Sequence, residues 1–452
     1  MIVLEKLLIA AIVATPASST GPSLAAEVTA ERSILLDERK VLELAVDAHP
    51  SLEAARETWE AARSAAKSVA LARAPSLDVS ANYTRLSSLP AKYRTFEGLV
   101  FPQILDNLGM RIQLAVPILD MFLGLAAAAR AAGHDAEGAR LEAEATRAQV
   151  VYDARVAFLD FWSRKLALGN AVELHRAALS NAEDQRRKEM AGTVAKNDVL
   201  PFETALDQAV MAVETAKADA AVAEATLRAY LPMLEGVALA VPSLPPPTEF
   251  AAAPEPAQAP TTTPKLLAID RTIRSATEQA KEARWSRLPQ ISAFGVFDLS
   301  APSPRVFIRD RLVAIPTWEA GIRIEWRLAQ LTQGSARLAE REHRVRALRA
   351  RLVETRRKLH AERTGAISTL MAAHARLLKS ADRVGHAQAL VEARRVELTA
   401  GTALPLNVIS AEVDLVRARN EHVSAFIERA LASARLDLVD GRTKPNEIGR
   451  NR

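Results

Sequence analysis

The sequence predicts a mainly helical, internally duplicated chain in which long coiled-coil-like helical hairpins alternate with pairs of β-strands. Three observations carry this. A short phrase is written twice, "GTVAKNDVLPFETAL" from Gly192 and "GTALPLNVISAEVDL" from Gly401. Four segments of about ten residues alternate apolar and polar side chains. Two stretches of about 65 residues contain no proline. Hydrophobic residues make up 49% of the 452, yet aromatics only 4%, because alanine supplies much of the apolar content. Alanine is a strong helix former that lets helices approach closely, so thin, extended packing seams are expected.

The first 25 residues read as a secretory signal peptide. Lys6 precedes the apolar run Leu7 to Ala14, and Ser23-Leu24-Ala25 offers a small-residue cleavage site. No later apolar run of about 18 residues is present, so no transmembrane helix is expected. There is no cysteine and hence no disulfide; lipidation on an N-terminal cysteine is excluded too.

Other markers recur in order with the Gly-Thr phrase. Pro50 to Pro75 and Pro264 to Pro289 enclose alanine-rich helices of equal length. "GMRIQL" from Gly109 matches "GIRIEW" from Gly321. Ordered echoes at nearly constant spacing mean a long internal repeat, with halves at 37–235 and 264–441. Between them, 236–263 is rich in proline, alanine and threonine and reads as an extended linker; 442–452 is a tail.

In the first half a helix leads to a strand at 75–86, a loop at 87–108 and a strand at 109–119. A long helix follows at 120–191, then a returning helix at 197–231. The second half repeats the order, with strands at 289–299 and 318–328 around a loop at 300–317, and helices at 335–400 and 405–439. The strand evidence is period-two alternation. Trp318, Ala320, Ile322, Ile324, Trp326 and Leu328 oppose Glu319, Arg323, Glu325 and Arg327. Leu77, Val79, Ala81 and Tyr83 oppose Asp78, Ser80, Asn82 and Thr84. "PQISAFGVFDL" is less clean, since Phe294 and Val296 fall on its polar face. Such segments suit membrane β-barrel strands and half-buried strands of a soluble sheet alike, but four strands cannot close a barrel within one chain. The helix evidence is a seven-residue step, Leu338, Val345, Leu352, Leu359, Ala366 and Ala373, and again Ile409, Val416, Val423 and Ala430, which implies coiled-coil packing. At 1.5 Å per residue, some 65 residues span roughly 100 Å.

No catalytic constellation is visible. The eight histidines, at 49, 134, 175, 343, 360, 374, 386 and 422, have no metal-ligand spacing, and no cofactor is implied. There is no glycine-rich phosphate loop. The net charge of +5 is modest and mixed with acids, and the arginines from 341 to 363 read as a solvated helix face, so no nucleic-acid partner is expected. Gly192 and Gly401 are natural helix stops; Asn197 or Asp198, and Asn407, are candidate caps for the returning helices, with Pro201 in a first turn.

The chain resembles the TolC-like outer-membrane efflux protein family over nearly its whole mature length. The resemblance rests on "AVDAHPSLEAARETWEAARSAAKSVALARAPSLDV", "GMRIQLAVPILD", "GIRIEWRLAQL" and the two Gly-Thr phrases, whose order is repeated twice. It implies a homotrimer in which each chain adds four strands to a shared twelve-stranded barrel in outer-membrane lipid, while the long helices form a periplasmic α-barrel. It also implies a passive exit duct of a tripartite efflux or type I secretion system. The partners would be a periplasmic adaptor and an inner-membrane pump. The hairpin tips Gly192, Thr193, Gly401 and Thr402 would meet the adaptor. Family members commonly carry acids just past the second Gly-Thr; here those positions hold Asn407 and Ser410, leaving Asp198, Glu203 and Glu412 to form a negative collar at the pore entrance. The alternatives are a periplasmic coiled-coil adaptor, which has a single hairpin, and a structural stalk, which leaves the alternating strands unexplained.

Overall fold

The computed structural model describes residues 33–90, 95–96, 99–100, 105–234, 236–245, 263–303, 314–400, 402 and 404–442. The signal-peptide segment, most of the linker and the tail lie outside them, as do parts of both strand-connecting loops. Eight strands and eight α-helices follow in order among the described residues: β1 Ser33–Leu35, α1 Glu38–Ala48, α2 Pro50–Leu71, β2 Ser76–Arg85, β3 Thr95–Phe96, β4 Leu99–Val100, β5 Asp106–Val116, α3 Ile118–Phe122, α4 Gly124–Met190, α5 Lys196–Arg228, β6 Ala238–Ala240, α6 Pro264–Trp285, β7 Gln290–Ala301, β8 Ile315–Glu325, α7 Ala329–Thr399 and α8 Pro405–Val439.

β2, β5, β7 and β8 form one antiparallel sheet in that order. The register collects the apolar residues on one face. Val79 lies opposite Ile112, Ile112 opposite Phe297, and Phe297 opposite Trp318. The other face aligns Ser80, Arg111, Asp298 and Thr317, and Arg111 donates to Asp298 at 2.9 Å. A one-residue slip would mix the faces. Phe294 is accommodated on the polar face because its cross-strand neighbour is Gly321, where a Cβ would stand 3.2 Å from the ring. The Arg323 guanidinium covers the same ring at 4.8 Å.

Each long helix continues from a strand. α4 has 67 residues and α7 has 71, roughly 100 and 107 Å of helix. Side by side, the helices keep the order of the strands: α2 packs on α4, α6 lies between α4 and α7, and beyond the short helices α5 packs on α4 while α8 lies between α4 and α7. The seven-step residues Leu338, Val345, Leu352, Leu359, Ala366 and Ala373 are all buried or half-buried, as knobs-in-holes packing requires.

Among the described residues, the thick core lies midway along the helices. Phe158, Phe161 and Trp162 of α4 meet Leu227 of α5, Leu239 of β6 and Phe426 of α8. Trp162 sits edge-on to Phe426 at 5.1 Å, and its Nε1–H donates to the Pro242 carbonyl at 2.7 Å. The start of the expected linker is therefore structured: β6 pairs in parallel with β1 and is pinned onto α4.

Several boundaries differ from the sequence reading. The second strand of each pair begins three residues earlier, at Asp106 and Ile315 rather than Gly109 and Trp318, because pairing with β2 and β7 continues beyond the alternating core. α7 begins at Ala329 rather than 335. Gly334 is an interior residue there, and its missing side chain leaves room for Arg287, whose Cγ would lie 2.7 Å from a Cβ. Before α2, His49 is a working cap: its Nδ1 accepts from the Ser51 N–H at 3.3 Å.

Candidate functional site

The two hairpin tips are built alike. α4 ends with Gly192 at φ 71°, a left-handed conformation that glycine adopts without steric cost. Thr193 N–H then donates to the Lys188 carbonyl at 3.0 Å, and Gly192 N–H to Glu189 at 2.8 Å. These are the two bonds of a Schellman stop. In the second tip Thr402 N–H reaches the Glu397 carbonyl at 2.9 Å. Both threonine hydroxyls donate to the same carbonyls, at 2.9 and 3.0 Å. The repeated Thr thus holds a second bond on each stop, and repetition of the phrase is repetition of this turn. Gly401 lies outside the described residues.

The returning helices start differently from the expected capping. The N-cap residues are Ala195 and Leu404, neither with a side-chain cap bond. Asn197, Asp198 and Asn407 lie inside the first turn instead, with the Asp198 and Asn407 N–H groups bonded to the cap carbonyls. Pro405 occupies the first helical position of α8, where its missing N–H costs nothing. That fixes the start two residues before Asn407. Pro201 lies within α5, past its first turn.

Asp198 is exposed, and its carboxylate has no hydrogen bond or ion pair among the described residues. Placed in a first turn, it complements the helix dipole. Ser410 is exposed on α8. Glu203 and Glu412 lie deeper. Glu203 pairs with Arg186 at 2.8 Å, and Glu412 with Arg395 at 2.7 Å. Each arginine stands 17 residues before its glutamate, so the clamp across the hairpin is itself part of the repeat. Glu412 is buried and also accepts from Asn181 of α4 at 2.9 Å. It borders a 220 Å³ cavity between α4, α5 and α8, lined by Phe202, Ala209 and Ile409 among others. Two to three turns away, Asn170 donates to Asn420 at 2.7 Å across the α4–α8 seam; such a polar pair fixes register. The sequence reading singled out the glutamates and missed Arg186, Arg395 and Asn181. The shared 17-residue spacing was the available signal for the arginines; nothing local marks Asn181.

At the other end of the molecule, the apolar sheet face stands open. Leu77, Val79, Tyr83, Leu114, Ile322 and Ile324 are all exposed, and Trp318 is 74% exposed. Trp318 lies on this face within β8, and Trp326 follows directly after the strand's end; an exposed apolar face flanked by aromatics is the pattern of a lipid-facing strand. Among the described residues no helix is long and apolar enough to cross a membrane.

Two stretches of the chain, residues 41–231 and 256–442, match the family described as outer membrane efflux protein. A comparison with curated proteins returns no match. Solved structures share the fold at low identity. The CmeC outer membrane channel of Campylobacter jejuni superposes with a TM-score of 0.75 at 13% identity, over 94% of each chain. The outer membrane protein VceC of Vibrio cholerae gives 0.73 at 15%, over 89% of this chain and 96% of that one. The MtrE outer membrane channel of Neisseria gonorrhoeae, in its open state, gives 0.72 at 15%, over 92% and 94%.

Proposed function

The chain belongs to the outer membrane efflux protein family, and from that premise we propose that three copies close into one duct through which a pump and its adaptor expel cargo. Members of this family are outer-membrane channels and not enzymes, and this chain is one of them. The observation that supports closure is the open order of its elements. Among the described residues the sheet ends at β2 on one side and β8 on the other, with neither outer edge paired. The helices end correspondingly at α2 and α5 on one side and α7 on the other. Since β2 and β8 run antiparallel, the β8 of one copy can take the β2 of the next and continue the alternation. Head-to-tail repetition of such an edge closes into a ring. Closure satisfies every strand edge at membrane depth, which an isolated sheet cannot. The apolar face then meets lipid and the Arg111 and Asp298 face lines the pore.

The hairpin tips form the entrance in this reading. Thr193 and Thr402, with Gly192 and Gly401, are the surface offered to an adaptor. Asp198 carries the entrance charge, opposite the uncharged Asn407 and Ser410. Glu203 and Glu412 act from inside the hairpins, fixing the tips through Arg186 and Arg395. The duct is passive, and its cargo is either a small molecule or a secreted protein.

The test is membrane fractionation followed by electrophoresis with and without heating. The proposal requires an outer-membrane species that migrates as a trimer until heated; a soluble monomer sinks it.

A further inference from the structure

α2 and α6 are repeat-mates, Pro50 corresponding to Pro264, yet their surroundings differ. In α6 one face is buried against α4 through Ala268, Ser275 and Glu278. The corresponding residues of α2, Ala54, Ala61 and Ser64, are all exposed, and α2 has no buried residue. The same contrast separates the long helices. On α4 the face that receives α6 includes Ala131, Gly138 and Leu141, all buried. With Gly192 matched to Gly401, their counterparts on α7 are Glu340, Ala347 and Ala350, all exposed. Two faces that are covered inside the first α4–α6 seam are therefore bare in its duplicate, one on each free flank of the chain. The occupant that fits both is a second copy, its α7 laid against this α2.

The charges on these faces are not copied but exchanged. Within the chain Arg271 of α6 packs on Gly138, its Cβ 3.7 Å from where a side chain there would begin. Its guanidinium sits close enough to help lower the neighbouring Glu137 carboxyl, after Arg140. The counterpart of Arg271 on α2 is Glu57, and the counterpart of Glu137 on α7 is Arg346; both are exposed. Nearer the sheet, Glu278 bridges Lys281 at 2.5 Å and Arg130 at 2.8 Å. On α2 the lysine is kept as Lys67 and the glutamate is lost to Ser64. Glu340 on α7 supplies a carboxylate within a helical turn of that level.

We infer that the seam between copies is this duplicate of the α4–α6 seam with its polarity reversed, Glu57 of one copy facing Arg346 of the next and Lys67 facing Glu340. The inference rests on the trimeric reading above and adds what selects the neighbour. An α2 helix placed in the α6 slot would set Glu57 against Glu137, and an α6 helix in the α2 slot would set Arg271 against Arg346. Like charges at both wrong positions disfavour a ring assembled with its repeats exchanged, while the right order is attractive at both. Two halves similar enough to share a fold are thereby told apart where they meet.

The chain has no cysteine, so cross-linking starts from zero background. The 3.7 Å approach of position 271 to position 138 falls in the range that a disulfide bridges, and its duplicate is the pair 57 and 347. The full-length protein carrying Glu57→Cys with Ala347→Cys, purified in detergent and oxidised mildly, is expected to give covalent dimers and trimers on a non-reducing denaturing gel. Neither single variant should do so above background. In parallel, Glu57→Arg and Arg346→Glu are each expected to lower the detergent-resistant trimer several-fold at low salt, and the double exchange to restore it within about twofold. A wild-type trimer whose 57/347 variant does not cross-link overturns the seam. A double exchange no better than either single overturns the pairing. A wild-type chain that is monomeric in the membrane overturns the trimeric reading itself and this inference with it.

Discussion

At the scale of single residues, the hairpin tip separates conformation from contact. Gly192 has a positive φ, and nothing lies within 4 Å of where its Cβ would stand. Gly192→Ala is therefore opposed by backbone strain alone, worth about 1 kcal/mol. Hydrogen exchange at the Thr193 amide should quicken by roughly fivefold, and an unchanged rate would show that the tip does not depend on this turn. Asp198, without a hydrogen-bond or ion-pair partner among the described residues, has no such structural duty. Asp198→Ala should leave assembly intact while weakening the cation preference of the closed entrance in single-channel recordings. Unchanged conductance and selectivity would remove it from the gate. Glu412 is the opposite case. Glu412→Ala removes the acceptor shared by half-buried Asn181 and exposed Arg395 and should loosen the second hairpin by about 1 kcal/mol, seen as faster amide exchange around Arg395; protection equal to wild type would contradict the clamp.

At the scale of elements, the α7–α8 seam carries two histidines held neutral. His374 is buried, and its Nδ1 has no hydrogen-bond partner among the described residues. Burial first, and then the Arg429 charge, push its pKa below the ordinary histidine value. Burial does the same to His422, whose Nδ1 lies 2.9 Å from the Ser380 hydroxyl. A folded-state pKa below the unfolded one means stability that is complete above about pH 6.5 and lost as pH falls through the folded values. Thermal stability should therefore decline on acidification from pH 7.5 to 5. The decline should be smaller in a variant carrying His374→Leu and His422→Gln, and an equal decline would place the acid sensitivity elsewhere. The elements were also the most legible part of the sequence. Period-two alternation fixes which face of each strand is apolar, and the seven-residue step fixes which stripe of α7 is inward. Boundaries were less legible: the helix expected from 335 starts at Ala329, and Gly334 lies inside it, where its missing side chain makes room for Arg287. Candidate caps failed for a related reason: Asn and Asp fit a first turn as well as a cap, and Pro405 decided between them.

At the scale of the whole molecule, the sheet is stable only where its apolar face has lipid and its edges have partners. Ile322→Arg places a charge on that face between Trp318 and Trp326, at a cost of roughly 2–4 kcal/mol near the bilayer midplane. The variant should accumulate outside the outer-membrane fraction, whereas Arg323→Ile, on the opposite face, should not. Equal insertion of both would mean that the apolar face does not meet lipid.

The sequence by itself determined the duplication, the alternation of strand pairs with long helices, and the apolar face of the cleanly alternating strands. These follow from local periodicity, and periodicity survives without knowledge of neighbours. Tertiary structure alone decided how the pieces share surfaces: that β5 pairs with β7 across the repeat, that α6 fills the gap between α4 and α7 while α2 lies at a free flank, and that Glu412 is tied to Asn181 from a distant part of the chain. Those choices depend on which of two nearly equivalent halves fits a given seam. Side chains far apart in sequence settle that through burial and charge, so no window along the chain contains it.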